Sequence, residues 1–122
     1  MRNRIRGESM IHVYLDDYRS CPKGFVLAKT SEECKLLIDE EQIDVLSLDF
    51  DLGWGQPTGF EVVRHLVQSG KYPNRIYLHT SSASGKIQMY HYLSEHLPSH
   101  VLLHGGPMPQ SLLDTIAAES GD

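Results

Sequence analysis

The chain has 122 residues and a formal net charge of −5, with 40% hydrophobic and 22% charged residues. That length suits one domain with a real core, and the acid excess excludes a non-specific binder of duplex DNA, which needs a basic face. No apolar run approaches membrane-spanning length, and Cys21 and Cys34 are too few for a disulfide scaffold, so a reducing, cytoplasmic setting is expected.

Residues 1–9 carry Arg2, Arg4 and Arg6 without periodicity and read as a flexible basic arm ahead of a single domain at 10–122. Strand one is expected over Ile11 to Leu15 and strand two over Phe25 to Lys29. Thr30-Ser31-Glu32-Glu33 has the spacing of a capping box and predicts a helix to about Glu41. Strand three follows over Asp44 to Asp49. Thr58-Gly59-Phe60-Glu61 opens the next helix, with Phe60, Val63, Leu66 and Val67 at helical spacing and Gly70 at its stop. Strand four is expected over Arg75 to His79. A helix from about Gly85 to Glu95 should turn Ile87, Tyr90 and Leu93 inward. Strand five is expected over Val101 to Leu103, and a last helix from about Gln110 to Ala118 should bury Leu112, Leu113 and Ile116. Strands alternating with helices imply a parallel sheet with crossovers. The link from Asp16 to Gly24 is too short for a full crossover helix.

A parallel sheet gathers its ligands outside the carboxyl ends of its strands. Asp16, Asp17, Asp49, Asp51, His79, Thr80, Ser81 and His104 all fall there, although they come from four strands. Carboxylates crowded at one edge raise each other's pKa unless a counter-charge is present. A hard cation, Mg²⁺ or Mn²⁺, is the expected solution, with Asp16, Asp17, Asp49 and Asp51 as candidate ligands. Arg19 follows the acidic pair and either grips phosphate oxygens or bridges to the aspartates. Ser81, Ser82, Ala83, Ser84, Gly85 and Lys86 lead into a helix N-terminus, which suits an anion or a plain cap. His79 and His104 end strands on this edge and are candidate proton donors. His79-Thr80-Ser81 also has the H-x-S form of two-histidine phosphoesterases, but no second copy exists. Trp54 and Tyr18 either stack on a base or pack on their own scaffold.

These positions resemble the response-regulator receiver domain. The resemblance makes Asp16-Asp17 the acidic pair, Asp49 the phosphoacceptor equivalent and Thr80 the hydroxyl residue, while His104 stands at or near the place of the usual lysine. Asp51 keeps the usual spacing to Gly59, but strand register favours Asp49. Leu15-Asp16-Asp17-Tyr18-Arg19 with Pro22 and Gly24, Ser47 to Gly53, and His79-Thr80-Ser81 with Gly85 resemble more narrowly the cyclic-phosphate-processing receiver-like domains. Phe50 departs from the histidine expected between the two aspartates, and Ser82-Ala83-Ser84 from the usual asparagine. The resemblance implies a receiver or flavodoxin-like three-layer α/β sandwich, sheet order 2-1-3-4-5, with the first crossover helix short or missing. It implies phosphoester chemistry on a cyclic phosphate, in a small molecule or at an RNA end. Asp49, His79, Thr80 and His104 would be catalytic, and Arg19, Ser81 and Lys86 would hold phosphate. The alternative is a receiver without enzymatic activity that signals or binds a partner. The missing helix predicts an under-covered sheet face, to be closed by a homodimer contact or by the N-terminal arm.

Overall fold

In the computed structural model, residues 10–121 are described, and the arm expected over 1–9 lies outside them. The elements run β1 (Ile11–Leu15), β2 (Val26–Ala28), α1 (Ser31–Glu40), β3 (Ile43–Leu48), α2 (Gly59–Ser69), β4 (Arg75–Leu78), α3 (Ala83–His96), β5 (Leu102–His104) and α4 (Gln110–Glu119). The sheet is parallel throughout, in the order β2-β1-β3-β4-β5. No helix stands between β1 and β2. No helix among the described residues is long and apolar enough to cross a membrane.

The strand pleat sorts side chains to two cores. Val13, Leu15, Leu46, Leu48, Ile76 and Leu78 face the layer built by α1, α2 and α3. Tyr14, Val45 and Tyr77 face the opposite side, under Ile116 of α4 and Met108. The missing crossover helix leaves no gap there. Tyr14 and Tyr77 are only 7% and 6% exposed, because α4 and the β1–β2 loop cover them. That loop turns at Gly24, with φ +93°, where a Cβ would lie 2.8 Å from the Ile116 side chain. The chain itself therefore covers the Tyr14 and Tyr77 rings on this face.

Local chemistry explains the helix starts. The Thr30 hydroxyl accepts from the Glu33 N–H at 3.1 Å, and the Glu33 carboxylate accepts from the Lys29 N–H at 2.7 Å. The reciprocal bond thus reaches one residue further back than in the usual box. At α2, Thr58 accepts from the Phe60 N–H rather than from Glu61. Two expected inward faces are corrected. Ile87 and Tyr90 are 68% and 42% exposed, whereas Leu93 is buried as expected, together with Gly85 and Met89. The cause lies at its first turn, where a Cβ on Gly85 would sit 2.3 Å from the Phe50 ring, so that contact sets the rotation of the helix. In α4 only Ile116 is fully buried, with Leu112 and Leu113 partly so.

Candidate functional site

Register builds the site. Tyr14 pairs with Ser47, Ser47 with Tyr77, and Tyr77 with His104, so these four form one row across the sheet. Two residues further along, on the same face, come Asp16, Asp49 and His79. Their ligand atoms lie within 4.8 Å of one another.

Asp16 is buried and saturated. Its Oδ1 accepts from the backbone N–H groups of Tyr18 (2.8 Å) and Arg19 (2.9 Å). Its Oδ2 accepts from Arg19 Nη1 at 2.8 Å and faces His79 Nε2 at 2.9 Å. Burial pushes the Asp16 pKa up, but the Arg19 and Tyr18 hydrogen bonds and His79 together outweigh it and hold the carboxyl at about 2. Asp16 is thus ionised and can only accept, so His79 donates through Nε2. Burial lowers the His79 pKa and keeps the ring neutral, which leaves Nδ1 as an acceptor. The buried Ser47 hydroxyl, 2.7 Å away, then donates to Nδ1. His79 also stacks on Tyr14, with centroids 4.3 Å apart and planes 6° from parallel. Both ring nitrogens are therefore engaged.

Asp49 is less satisfied. Its Oδ1 accepts from the Phe50 N–H at 2.8 Å, and its Oδ2 meets Arg19 Nη1 at 3.3 Å. Gly59 fixes this strand end, because a Cβ there would sit 2.0 Å from the Asp49 carbonyl oxygen. One guanidinium, 39% exposed at its side chain, is thus shared between two carboxylates. Both expectations for Arg19 meet in this position: it is bridged to the aspartates and still reaches solvent.

The other expected residues separate. Asp17 is exposed, with its carboxylate 3.4 Å from the place a Cβ on Gly53 would take. Asp51 is exposed on the loop after β3. Thr80 is buried, and its hydroxyl accepts from the Ser82 N–H at 3.1 Å, which braces the entry to α3. Ser82 caps that helix by accepting from the Gly85 N–H, while Ser81 is exposed and Lys86 half-buried. His104 is exposed and stacks on Tyr77 at 4.4 Å, one row short of the Asp16–Asp49–His79 cluster. Sequence reasoning gave no role to Ser47 or Tyr14. A serine inside an otherwise apolar strand, two residues before Asp49 and on the same face, was the available signal for Ser47.

The cluster offers two carboxylates and an imidazole at metal-ligand spacing. Since the Asp16 oxygens are already filled, Asp49 is the carboxylate of the cluster with free lone pairs for a cation, while the exposed Asp17 and Asp51 lie outside the cluster. Among curated proteins, none matches the chain. The family of cyclic-phosphate processing receiver domains matches residues 11–95, a span that holds both carboxylate loops, Arg19 and His79. With that match over most of its length and the receiver-type sheet beneath it, the chain belongs to the cyclic-phosphate processing receiver family.

Proposed function

We propose that this domain is a divalent-cation-dependent phosphoesterase that opens a cyclic phosphate. One observation carries the reading: Arg19 Nη1 is shared between Asp16 and Asp49. With His79 neutral, two carboxylates face one guanidinium, and the cluster keeps an uncompensated negative charge. A phosphodiester anion is repelled from such a site unless a cation joins it. Asp49, with Asp17 from the neighbouring loop as a second hard oxygen donor, would hold Mg²⁺ or Mn²⁺. Such an ion would polarise a phosphoryl oxygen and activate water.

The chain's own residues do the rest. Asp16 fixes Arg19 through both backbone and guanidinium, and the exposed part of that side chain grips a non-bridging phosphate oxygen. Lys86 makes no side-chain hydrogen bond or ion pair among the described residues and adds positive charge in the first turn of α3. His79, held by Ser47 and Asp16, acts as a positioning residue and has no free nitrogen for the substrate. The His104 side chain makes no hydrogen bond among the described residues, so of the two histidines that end strands on this edge it is the one with a ring nitrogen left to protonate the leaving oxygen. Water adds to phosphorus and one P–O ester bond breaks. The leaving oxygen takes a proton, which gives a phosphate monoester and a free hydroxyl.

A panel of cyclic and linear phosphoesters, assayed with Mg²⁺, with Mn²⁺ and with chelator, tests this reading. Cation-dependent turnover of a cyclic phosphate, lost in Asp49→Asn, is expected. A stable phosphoryl adduct on Asp49 after treatment with acetyl phosphate, without turnover of any ester, would replace it with a signalling receiver.

A further inference from the structure

Among the ten aromatic residues Phe, Tyr and Trp of the chain, two are almost wholly in solvent: Trp54 at 100% and Tyr18 at 91% exposure. The others pack into one of the two cores, or keep more than half of their surface covered, as Tyr90 does at 42% exposure. Both bare rings stand on the loops that carry the site carboxylates. Tyr18 lies two residues after Asp16, and its own N–H donates to that carboxylate. Trp54 follows Asp49 in the Gly53–Gly55 turn, where both glycines have positive φ. The two loops touch, since Asp17 Oδ2 lies beside Gly53. A large ring left in water is unfavourable, and here neither ring packs on its own scaffold.

We infer that Trp54 and Tyr18 form a stacking platform for an unpaired nucleobase whose attached phosphate occupies the Arg19–Asp49 site. This rests on the phosphoester reading above and names its substrate class as nucleotides or single-stranded nucleic-acid ends. Three points favour a base over an apolar peptide or a lipid surface. Tyr18 is next in sequence to Arg19, whose guanidinium suits phosphate, and the Trp54 loop meets the same loop where Asp17 lies beside Gly53. Asp17 and Asp51 beside them disfavour an anionic membrane. Flat rings on loops, 100% and 91% exposed, offer an open stacking surface. Stacking is indifferent to base identity, so selectivity among bases should be low.

Trp54 is the sole tryptophan, which makes its fluorescence a direct reporter. The intact protein, with Mg²⁺, is titrated with adenosine 2′,3′-cyclic phosphate, with a short single-stranded RNA ending in the same group, and with glycerol 1,2-cyclic phosphate, which has no base. Quenching by the first two and none by the third is expected. Calorimetry should show about tenfold weaker binding of the base-bearing ligands to Trp54→Ala, near-wild-type binding to Trp54→Phe, and no change for the glycerol ester. Tighter binding of the RNA than of the mononucleotide would make a strand end the source of the base; equal binding would make it a free nucleotide. Equal handling of all three ligands without quenching would overturn the platform and leave the phosphoesterase reading standing. Quenching without hydrolysis would keep the platform and remove the phosphoesterase. A Trp54 blue shift on phosphatidylcholine vesicles, with no response to nucleotides, would also overturn it.

Discussion

Asp16→Asn tests the electrostatic logic of the site most sharply, because it keeps the shape and removes the charge. Asn can still accept the Tyr18 and Arg19 backbone bonds. On the other oxygen its amide would present donors to Arg19 Nη1 and His79 Nε2. The imidazole can adapt: it can change tautomer, accept through Nε2 and donate through Nδ1 to Ser47. The guanidinium cannot. The loss is therefore about one charge-assisted hydrogen bond to a buried carboxylate, roughly 1.5–3 kcal/mol. The same charge makes folding pH-dependent. Asp16 falls from 3.8 to about 2 on folding, which at about 1.36 kcal/mol per pK unit stabilises the native state by about 2 kcal/mol. Because the folded pKa is the depressed one, that stability is fully present above about pH 5 and is lost as pH falls through 4 towards 2. Urea unfolding at pH 7, 5, 4 and 3 reads both effects. Wild type should lose this increment on acidification, whereas the variant should start lower and lose correspondingly less. Equal stability of the two proteins at pH 7, or identical acid dependence, would refute the account of Asp16.

Asp49→Asn should abolish Mg²⁺ or Mn²⁺ heats in calorimetric titration while leaving apo stability equal or raised, since two carboxylates share one guanidinium; unchanged heats would move the cation elsewhere. Ser47→Ala removes the donor to His79 Nδ1 and should cost about 1 kcal/mol or more; nitrogen NMR should show the Nε2–H tautomer of His79 in the wild type, and an Nδ1–H tautomer would contradict the donation to Asp16. Gly85→Ala, whose new Cβ would meet the Phe50 ring at 2.3 Å, should destabilise by about 1–3 kcal/mol; a neutral result in thermal denaturation would mean that Phe50 moves freely.

Much of this architecture was legible in the chain, and the reasons differ by element. β1 was read at its observed bounds because a compact apolar run stops at Asp16. Sheet order and the absence of a first crossover helix followed from the short link and from the family resemblance. Strand ends elsewhere moved by a residue, and the shift in β5 makes His104 the last residue of its strand. The edge that gathers the carboxylates was visible, but their sorting was not. Pleat and register decide that Asp16 and Asp49 stand together on the α4 face; Asp17 has the opposite parity, and Asp51, which shares the parity of Asp49, is exposed because the chain has already left the strand. Register is a property of two strands at once and cannot be read from either alone. The inward face of α3 departs from its helical spacing for a related reason. Ile87 and Tyr90 have helical spacing, but with the Phe50 ring seated on Gly85 it is Met89 that goes in beside the expected Leu93. Ser47 passed unremarked because its partner, His79, is contributed by another strand.

The most direct measurement is phosphorus NMR of a 2′,3′-cyclic nucleotide incubated with the protein, with Mg²⁺ present or chelated, in wild type and Asp49→Asn. The account predicts that the cyclic phosphate signal converts to a monoester signal only with wild type and free cation. An unchanged cyclic signal across the panel would contradict the proposed reaction, and conversion that persists in chelator would contradict the role given to the cation.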